Sequence, residues 1–257
     1  MPMNLSHLKG HRFADCDWSF TPKRISALNL AIGVTGNGTG LPPTLAFSAD
    51  MDHQVVDQLL ALTGLGAHQL LHGEQHFHYH HPLQPGLRYS SRAELTEVIK
   101  KPRFNLLHKK TRLLTADGSL ACEMLSIYVA VPVPGPPSEG PEMEEQNAQS
   151  VTTARPISRE QISAFALASG DQNPVHLEPA IACRAGHADV FAQGMLGMGM
   201  LGTLLSATRL QRFGVRFLSP IALGDQPRLY QTGTRSRELV LTNEKGNIRI
   251  RGYAELN

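Results

Sequence analysis

The stretch "FAQGMLGMGMLGTLLSATRL", residues 191–210, carries four glycines and all but the first residue of the most apolar window of the chain, residues 190–207. It predicts one long, buried helix. Each glycine costs about 1 kcal/mol relative to alanine on an exposed helix face, so this helix requires close packing against a sheet. The window approaches the minimum length of a membrane span, but Gln193 and the glycines favour a buried helix over a membrane span.

The segments that follow the helix carry β-branched and alternating residues, separated by proline, glycine and asparagine turns. They are "GVRFLSPIALGD" (214–225), "RLYQTGTRSRE" (228–238) and "ELVLTNEKGNIRIRGYAEL" (238–256). One long helix followed by several antiparallel strands predicts an α+β domain in which the sheet wraps around the helix.

Two shorter helices are predicted ahead of the apolar run. In "SREQISAFALASGD" (158–171), Ser158 is a plausible N-cap and Gln161 follows at the spacing of a capping box. Apolar residues then recur at helical intervals, and the helix is expected to end near Ser169 and Gly170. The segment "EPAIACRAG" (178–186) predicts a second short helix.

The first half of the chain repeats this order of helices and then strands. Its helical candidates are "TPKRISALNLAIG" (21–33) and "MDHQVVDQLLALTG" (51–64), and its strand candidates are "EQHFHYHHPL" (74–83), "RYSSRAELTEVI" (88–99) and "NLLHKKTRLLTADGSLACEMLSIYVAV" (105–131). The repetition is one of pattern and not of identity, and it predicts two similar domains packed together.

A segment rich in proline, glycine and acidic residues, "VPVPGPPSEGPEMEEQNAQS", divides the two halves and is typical of an exposed linker. The predicted organisation is therefore an N-terminal domain over residues 1–130, a linker over 131–150 and a C-terminal domain over 151–257. Both domains have an ordinary size.

Composition describes an ordinary globular protein, with 257 residues, 41% apolar and 18% charged. A formal charge of +2 without a basic run argues against a nucleic-acid partner, and no membrane segment is predicted. The three cysteines, Cys16, Cys122 and Cys183, are widely spaced and follow no secretory leader, which favours free thiols and a cytoplasmic location.

A candidate acid/base pair lies in "ASGDQNPVHLEP" (168–179), where Asp171 and His176 flank Asn173 and Pro174. Proline at 174 prevents a regular helix, so both side chains can turn toward one water molecule. Histidine titrates near neutrality and can pass the proton. The alternative is structural, with Asp171 as a helix cap and His176 as an exposed turn residue.

Gly194 begins the apolar run's predicted helix, whose first backbone amides lack partners within the helix and mark its positive end. Such an amide could stabilise a thioester oxygen as it becomes an enolate, an interaction of about 3 kcal/mol in known enzymes. Close helix packing is the equally simple explanation for a glycine at this position.

These residues resemble a known family. "SGDQNPVH" (169–176), with Gly194 eighteen residues after His176, closely resembles the motif of the (R)-specific, type 2 or MaoC-like enoyl-CoA hydratases. In the first half, "LLHGEQHFHYHHPL" (70–83) resembles the first repeat of two-repeat hydratases, as do "ALNLAIG" (27–33) and "LPPT" (41–44). The resemblance covers nearly the whole chain except the linker.

The resemblance implies a double hot-dog fold of class α+β, in which each repeat has a central helix wrapped by an antiparallel sheet. It implies reversible hydration of a trans-2-enoyl-CoA to an (R)-3-hydroxyacyl-CoA in fatty acid metabolism. No metal, nucleotide or flavin cofactor is implied. Hot-dog domains commonly pair, so the two repeats are expected to pair with each other or the chain to form a homodimer.

The resemblance also implies residue roles. Asp171 and His176 would activate water, Asn173 would position the water or the substrate, and the Gly194 amide would bind the thioester oxygen. The first repeat lacks the acid/base motif and would shape the acyl and CoA site. The implied substrate contacts are His72, Gly73, Lys101, Gln172, Pro174, Val175 and Phe217, with Lys101 available to a CoA phosphate.

Two departures from the family pattern are visible. Gln193 stands where the family usually has a histidine, and its amide can donate a hydrogen bond but cannot titrate. The segment "RAGHADVFAQG" (184–194) also differs from the usual aromatic and proline-containing version. Details of the acyl pocket are therefore not predicted.

Other motifs favour ordinary structural roles. His76, His78 and His80 alternate and could share one strand face, but no cysteine or carboxylate pattern completes a metal site. "GVTGNGTG" (33–40) lacks the lysine and serine of a phosphate loop and predicts a flexible loop. Cys183 is expected to be a small helix residue and not a nucleophile.

Three functions remain open at this point. The first is the enoyl-CoA hydratase. The second is a hydratase for a branched or dicarboxylic enoyl-CoA, or for an acyl-carrier-protein thioester. The third is a non-catalytic acyl-thioester-binding protein in which the change to Gln193 has removed activity.

Overall fold

The computed structural model describes residues 3–34, 40–133, 135, 137–143, 150–205 and 210–257. Its helices are α1 (Pro22–Ala31), α2 (Ser48–Asp52), α3 (Val55–Thr63), α4 (Arg159–Ser169), α5 (Pro179–Arg184) and α6 (Gly194–Gly202). Its strands are β1 (Cys16–Trp18), β2 (Leu70–Tyr79), β3 (Tyr89–Lys100), β4 (Asn105–Leu114), β5 (Leu120–Ala130), β6 (Ser150–Thr153), β7 (Phe191–Ala192), β8 (Leu210–Phe217), β9 (Ile221–Ala222), β10 (Arg228–Gly233), β11 (Ser236–Thr242) and β12 (Ile248–Leu256).

Ten strands form one antiparallel sheet in the order β1-β3-β4-β5-β2-β8-β12-β11-β10-β6. From its outer edge to the centre, the first half has the order β1-β3-β4-β5-β2 and the second half the order β6-β10-β11-β12-β8. With the separate short strands β7 and β9 left out, the two halves arrange their first to fifth strands in the same way. The halves join where β2 pairs with β8, for example through His76 opposite Gly214. The α+β class and the double arrangement of a helix layer with an antiparallel sheet are therefore confirmed.

The core runs across both halves. One apolar cluster contains Trp18 and Phe77 from the first half together with Met198 and Ile250 from the second. A smaller cluster, which includes Leu59 and Leu95, lies wholly in the first half. Burial of a shared core means that neither half covers its own apolar surface alone.

Helix α6 lies in the shared core, and its residues from Met195 to Gly202 are all buried. A Cβ added at Gly197 would lie 2.5 Å from Ile221 Cδ1, and one added at Gly199 would lie 2.7 Å from Ile32 Cγ2. The glycines thus allow the close packing that the sequence required. The predicted length is wrong, because α6 ends at Gly202; residues 206–209 lie outside the described residues.

The predicted helix over 51–64 is interrupted. Gln54 adopts a left-handed conformation with φ of 52° and separates α2 from α3. Asp50 of α2 is fully buried and forms an ion pair with the fully buried Lys109 of β4, while Thr111 Oγ1 donates to Asp50 Oδ1 at 2.8 Å. This polar contact holds α2 on the first half of the sheet.

Two sequence features fall partly outside the described residues. They are the glycine loop, of which 35–39 are not described, and the linker, of which 134, 136 and 144–149 are not described. The described end of the linker lies beside β12, because Ile248 N donates to Pro141 O at 2.8 Å. The domain limits at residues 130 and 150 stay a prediction.

The three cysteines are unpaired in the structure. Among the residues that the structure describes, no helix is long and apolar enough to cross a membrane.

Candidate active site

His176 closes a short 3-10 turn, Pro174–His176, that Asn173 begins. Its Nδ1 lies 3.0 Å from the carbonyl oxygen of Phe191. A carbonyl only accepts, so Nδ1 carries the proton and the neutral ring presents an unprotonated Nε2. Burial lowers the pKa of His176, and the Asp171 carboxylate opposes that shift. The imidazole is therefore held as a neutral base in one tautomer.

The loop of residues 170–178, here called the Asp171 loop, is organised by short local hydrogen bonds. Ser169 Oγ accepts from Asp171 N at 3.1 Å, Asp171 Oδ1 accepts from Asn173 N at 3.4 Å, and Asn173 Oδ1 accepts from Val175 N at 3.1 Å. The cap of the turn is thus Asn173 and not Asp171. Asp171 and His176 are both half-buried, which argues against the alternative of an exposed turn histidine.

Gly194 begins α6 directly beside an aromatic ring. A Cβ added there would lie 3.0 Å from both Cδ1 and Cε1 of Phe217. Phe217 in turn lies 5.0 Å, centroid to centroid, from the His72 ring. The structure therefore brings together three residues that the sequence singled out separately, from β2, α6 and β8.

The His72 ring stacks between Phe47 at 5.4 Å and Tyr128 at 4.9 Å. Its pKa is lowered to about 3, first by burial and then by the nearby Lys109 charge, so it stays neutral across the physiological range. Gly73 follows at a bulge in β2, where an added Cβ would lie 3.2 Å from the backbone oxygen of Ile127. The bulge sets the direction in which His72 points.

Tyr128 is a site residue that sequence reasoning missed. Its hydroxyl is buried and has no hydrogen-bond partner among the described residues, and the neighbouring Ser126 hydroxyl donates to Gln75 Oε1 at 2.7 Å. Burial raises the pKa of Tyr128 well above its usual value, and the Asp50 and Asp171 carboxylates add to the shift. The sequence does not predict this role, because β5 has the alternating pattern of an ordinary strand.

Gln193 is fully buried at the N-cap of α6. Its Nε2 donates to Ile162 O at 3.3 Å, and its Oε1 has no partner among the described residues. The side chain joins α4 to the start of α6, which is a packing role and not a titrating one.

Two of the remaining predicted residues, Gln172 and Val175, lie in the Asp171 loop, and Lys101 lies in a turn of the first half. Val175 is buried inside the Asp171 loop, whereas Gln172 is exposed on it. Lys101 stands in the exposed turn between β3 and β4, where its amide donates to Phe104 O at 2.9 Å. The turn leads into Asn105, which pairs with Ala130 of β5. Ala130 also pairs with Leu70, two residues before His72 in β2, so Lys101 lies at the same end of the sheet as His72.

The histidines of β2 do not share one environment. His76 lies 3.1 Å from Glu74 Oε2, whereas the ring of His78 lies 4.0 Å, centroid to centroid, from that of His80 just beyond the strand, and the two rings are tilted by 42°. Within the described parts of the chain, no group of three or more histidine, cysteine, aspartate or glutamate side chains could hold a metal ion.

A cavity of about 110 Å³ with both polar and apolar walls lies near Gly202, at the end of α6 opposite to Gly194. Its walls include Pro43, Tyr79 and Leu83, and Pro43 also faces Gly202, the last residue of α6. Neither Asp171 nor His176 lines it, so it is separate from the acid/base pair.

Comparisons with known proteins show what the chain resembles. A family model described as "MaoC like domain" matches residues 142–248, and a model of the "FAS1-like, dehydratase domain region" matches residues 37–124. A curated relative, the enoyl-CoA hydratase ChsH3 of Mycobacterium tuberculosis, is 24% identical over 100% of this chain and 99% of its own length.

Two solved structures share the fold. A MaoC-like dehydratase from Phytophthora capsici has a TM-score of 0.81 and 16% identity, covering 98% of this chain and 97% of its own. A Mycobacterium tuberculosis protein described as a double hotdog fold has a TM-score of 0.64 and 10% identity, covering 96% of each chain. With a match to the MaoC-like domain over residues 142–248 and to the FAS1-like dehydratase region over residues 37–124, this chain carries a MaoC-like domain in its second half and has the double hot-dog fold.

Proposed function

We propose that the protein catalyses the reversible hydration of trans-2-enoyl-CoA to (R)-3-hydroxyacyl-CoA. The observation that carries the proposal is His176: its Nδ1 is bound to Phe191 O, its Nε2 is unprotonated, and the Asp171 charge acts on it. A half-buried neutral base under the influence of a carboxylate is an arrangement that water activation can use. The enoyl-CoA hydratase relative supports the choice of substrate class.

In the hydration direction, Nε2 of His176 takes a proton from a water that Asp171 helps to orient, and the water oxygen attacks C3. Asn173 holds the loop that presents this water. The electrons of the double bond move toward the thioester carbonyl and form an enolate-like anion, which the Gly194 amide stabilises at the positive end of α6. The His176 imidazolium then gives the proton that it took from water to C2, which completes the addition and restores the neutral base, and dehydration follows the same path in reverse.

The two repeats would supply different parts of the active site. The C-terminal repeat, residues 151–257, supplies the acid/base pair and the oxyanion donor. The N-terminal repeat, residues 1–130, supplies the wall formed by His72 and Tyr128, and its buried Tyr128 hydroxyl is available to a bound thioester. Lys101 would meet a CoA phosphate as a point charge.

Purified protein mixed with crotonyl-CoA tests the proposal. Loss of the enoyl absorbance reports turnover, and oxidation of the product by an (R)-specific but not an (S)-specific 3-hydroxyacyl-CoA dehydrogenase reports configuration. A rate profile over chain length and over branched, dicarboxylic and acyl-carrier-protein substrates then identifies the preferred thioester. Binding of acyl-CoA without turnover at any chain length would instead make the protein a non-catalytic acyl-thioester-binding protein.

A cytoplasmic location and the absence of nucleic-acid and membrane partners remain part of this proposal, as does a homodimer.

A further inference from the structure

Helices α1 and α4 belong to opposite halves of the chain and pack against each other. They begin alike: Thr21 Oγ1 accepts from Arg24 N at 3.3 Å, and Ser158 Oγ accepts from Gln161 N at 3.2 Å. Arg24 and Gln161 are each the third residue of their helix. The two positions are therefore equivalent in the two repeats.

Each of these third residues reaches across to the end of the other helix. Gln161 Nε2 donates to Ala31 O, the last residue of α1, at 2.8 Å. Arg24 donates through Nε to Ala168 O and through Nη2 to Ser169 O, both at 3.0 Å, at the end of α4. The carbonyls at a helix end lack partners within the helix, so both contacts satisfy groups that would otherwise need water. Gln161 thus completes a contact between repeats and not the reciprocal half of a capping box.

The two contacts differ in strength. Gln161 makes one neutral hydrogen bond, whereas the Arg24 guanidinium is also held by Asp52 through contacts of 2.5 and 2.9 Å. Asp52 accepts a further hydrogen bond from Trp18 Nε1 at 3.1 Å. A guanidinium can bridge a carboxylate and two carbonyls because its donors form a rigid, planar fork, which a lysine cannot reproduce.

The stronger contact bears on the Asp171 loop. Gly170, with φ of 86°, follows the two carbonyls that Arg24 holds, and a Cβ there would lie 3.0 Å from Met51 Cβ. Asp171 comes next, with its amide bonded to Ser169 Oγ. The weaker contact lies at the end of α1, which leads into a segment of the first half without an acid/base motif.

We propose that Arg24, held by Asp52, is a positioning residue that fixes the Asp171 loop from the opposite half of the chain. The name positioning residue rests on the proposed function, since it requires Asp171 to act in the reaction. Arg24 contacts the backbone of Ala168 and Ser169, and it acts on the loop through that backbone. The first repeat would therefore serve the acid/base pair directly as well as shaping the substrate site.

Arg24→Ala, Asp52→Asn and the matched control Gln161→Ala in the full-length protein test this. For crotonyl-CoA we expect kcat to fall about 10- to 100-fold in Arg24→Ala, since small displacements of reacting groups cost rates of that order. KM should change by no more than about threefold, because bound substrate is not contacted. Gln161→Ala should keep kcat within about twofold of the wild-type value, even if its melting temperature falls as much as that of Arg24→Ala.

Two further measurements separate positioning from general destabilisation. Millimolar ethylguanidinium should restore part of the lost kcat in Arg24→Ala and none in Asp52→Asn. Amide hydrogen exchange over residues 170–176 should become faster in Arg24→Ala but not in Gln161→Ala. Equal loss of kcat in Arg24→Ala and Gln161→Ala, or unchanged exchange in Arg24→Ala, would overturn the inference.

The exchange measurement does not depend on turnover. If the wild-type protein hydrates no enoyl thioester, the proposed function fails, and faster exchange in Arg24→Ala alone still shows that Arg24 fixes the loop. If the wild-type protein is active and Arg24→Ala is equally active, the positioning inference fails while the proposed function stands.

Discussion

At the scale of single residues, the Phe191 carbonyl decides what His176 can do. By accepting from Nδ1 it leaves Nε2 as the only acceptor on the ring, and burial keeps that acceptor unprotonated near neutral pH. An imidazole without this partner would divide between two tautomers, one of which offers no base at the same position.

The pH dependence of hydration follows from this geometry. Burial lowers the pKa of His176 below its usual 6.5, so protonation and loss of the base occur only as the pH falls below that value. We therefore expect kcat/KM to rise with pH to a plateau, with the midpoint of the acid limb below about 6.5. An acid limb centred above that pH would contradict His176 as the base.

Gly194→Ala tests the oxyanion position. The new Cβ would lie 3.0 Å from two ring carbons of Phe217, so either the ring or the first turn of α6 must move. We expect kcat to fall about 10- to 100-fold with little loss of thermal stability, because alanine favours the helix. The matched control is Gly202→Ala, whose Cβ would lie 3.1 Å from Pro43 Cγ at the other end of α6. If both variants lose activity equally, Gly194 serves only helix packing.

The sequence predicted the site residues whose spacing is local. Asp171, His176 and Gly194 lie within 25 residues and share one loop and one helix start. Arg24 and Tyr128 were missed because their partners come from distant chain, as the separation of 144 residues between Arg24 and Ala168 shows. Periodicity and spacing within one segment cannot predict a contact between residues so far apart in the chain.

At the scale of elements, where helices end and break depends on tertiary packing that local propensity does not predict. The apolar run after Gln193 predicted one long helix, yet α6 ends at Gly202, where Pro43 lies against it. The break at Gln54 between α2 and α3 also has no glycine or proline to mark it. Strand positions were more predictable, since alternation in β4 and β5 corresponds to their burial.

The buried pair that holds α2 gives a stability prediction at this scale. Lys109→Met leaves the fully buried Asp50 carboxylate without its cation, and we expect the free energy of unfolding to fall by about 3–5 kcal/mol. Adding Asp50→Leu removes the stranded charge and should recover a substantial part of that loss. Urea unfolding of both variants measures it. A double variant no more stable than Lys109→Met would show that the stranded charge is not what destabilises the protein.

At the scale of the whole molecule, the sheet explains why both repeats are present. The pairing of β2 with β8 makes one sheet of the two halves, and it brings His72 of the first repeat to Phe217 and Gly194 of the second. The sequence predicted two similar halves and a double hot-dog fold, and the fold is confirmed. It could not predict the contacts between the halves, because these depend on the relative placement of surfaces that each half forms separately.

The central claim is that Asp171 and His176 activate water for addition to an enoyl thioester, and the Asp171→Asn variant tests it most directly. The side chains are nearly identical in size, so the fold should persist while the charge that acts on His176 is lost. The exposed turn residue Asp117, changed to asparagine, serves as the matched control. With crotonyl-CoA, we predict that Asp171→Asn lowers kcat about 100- to 10,000-fold while Asp117→Asn retains wild-type turnover. Wild-type turnover in Asp171→Asn would contradict the claim.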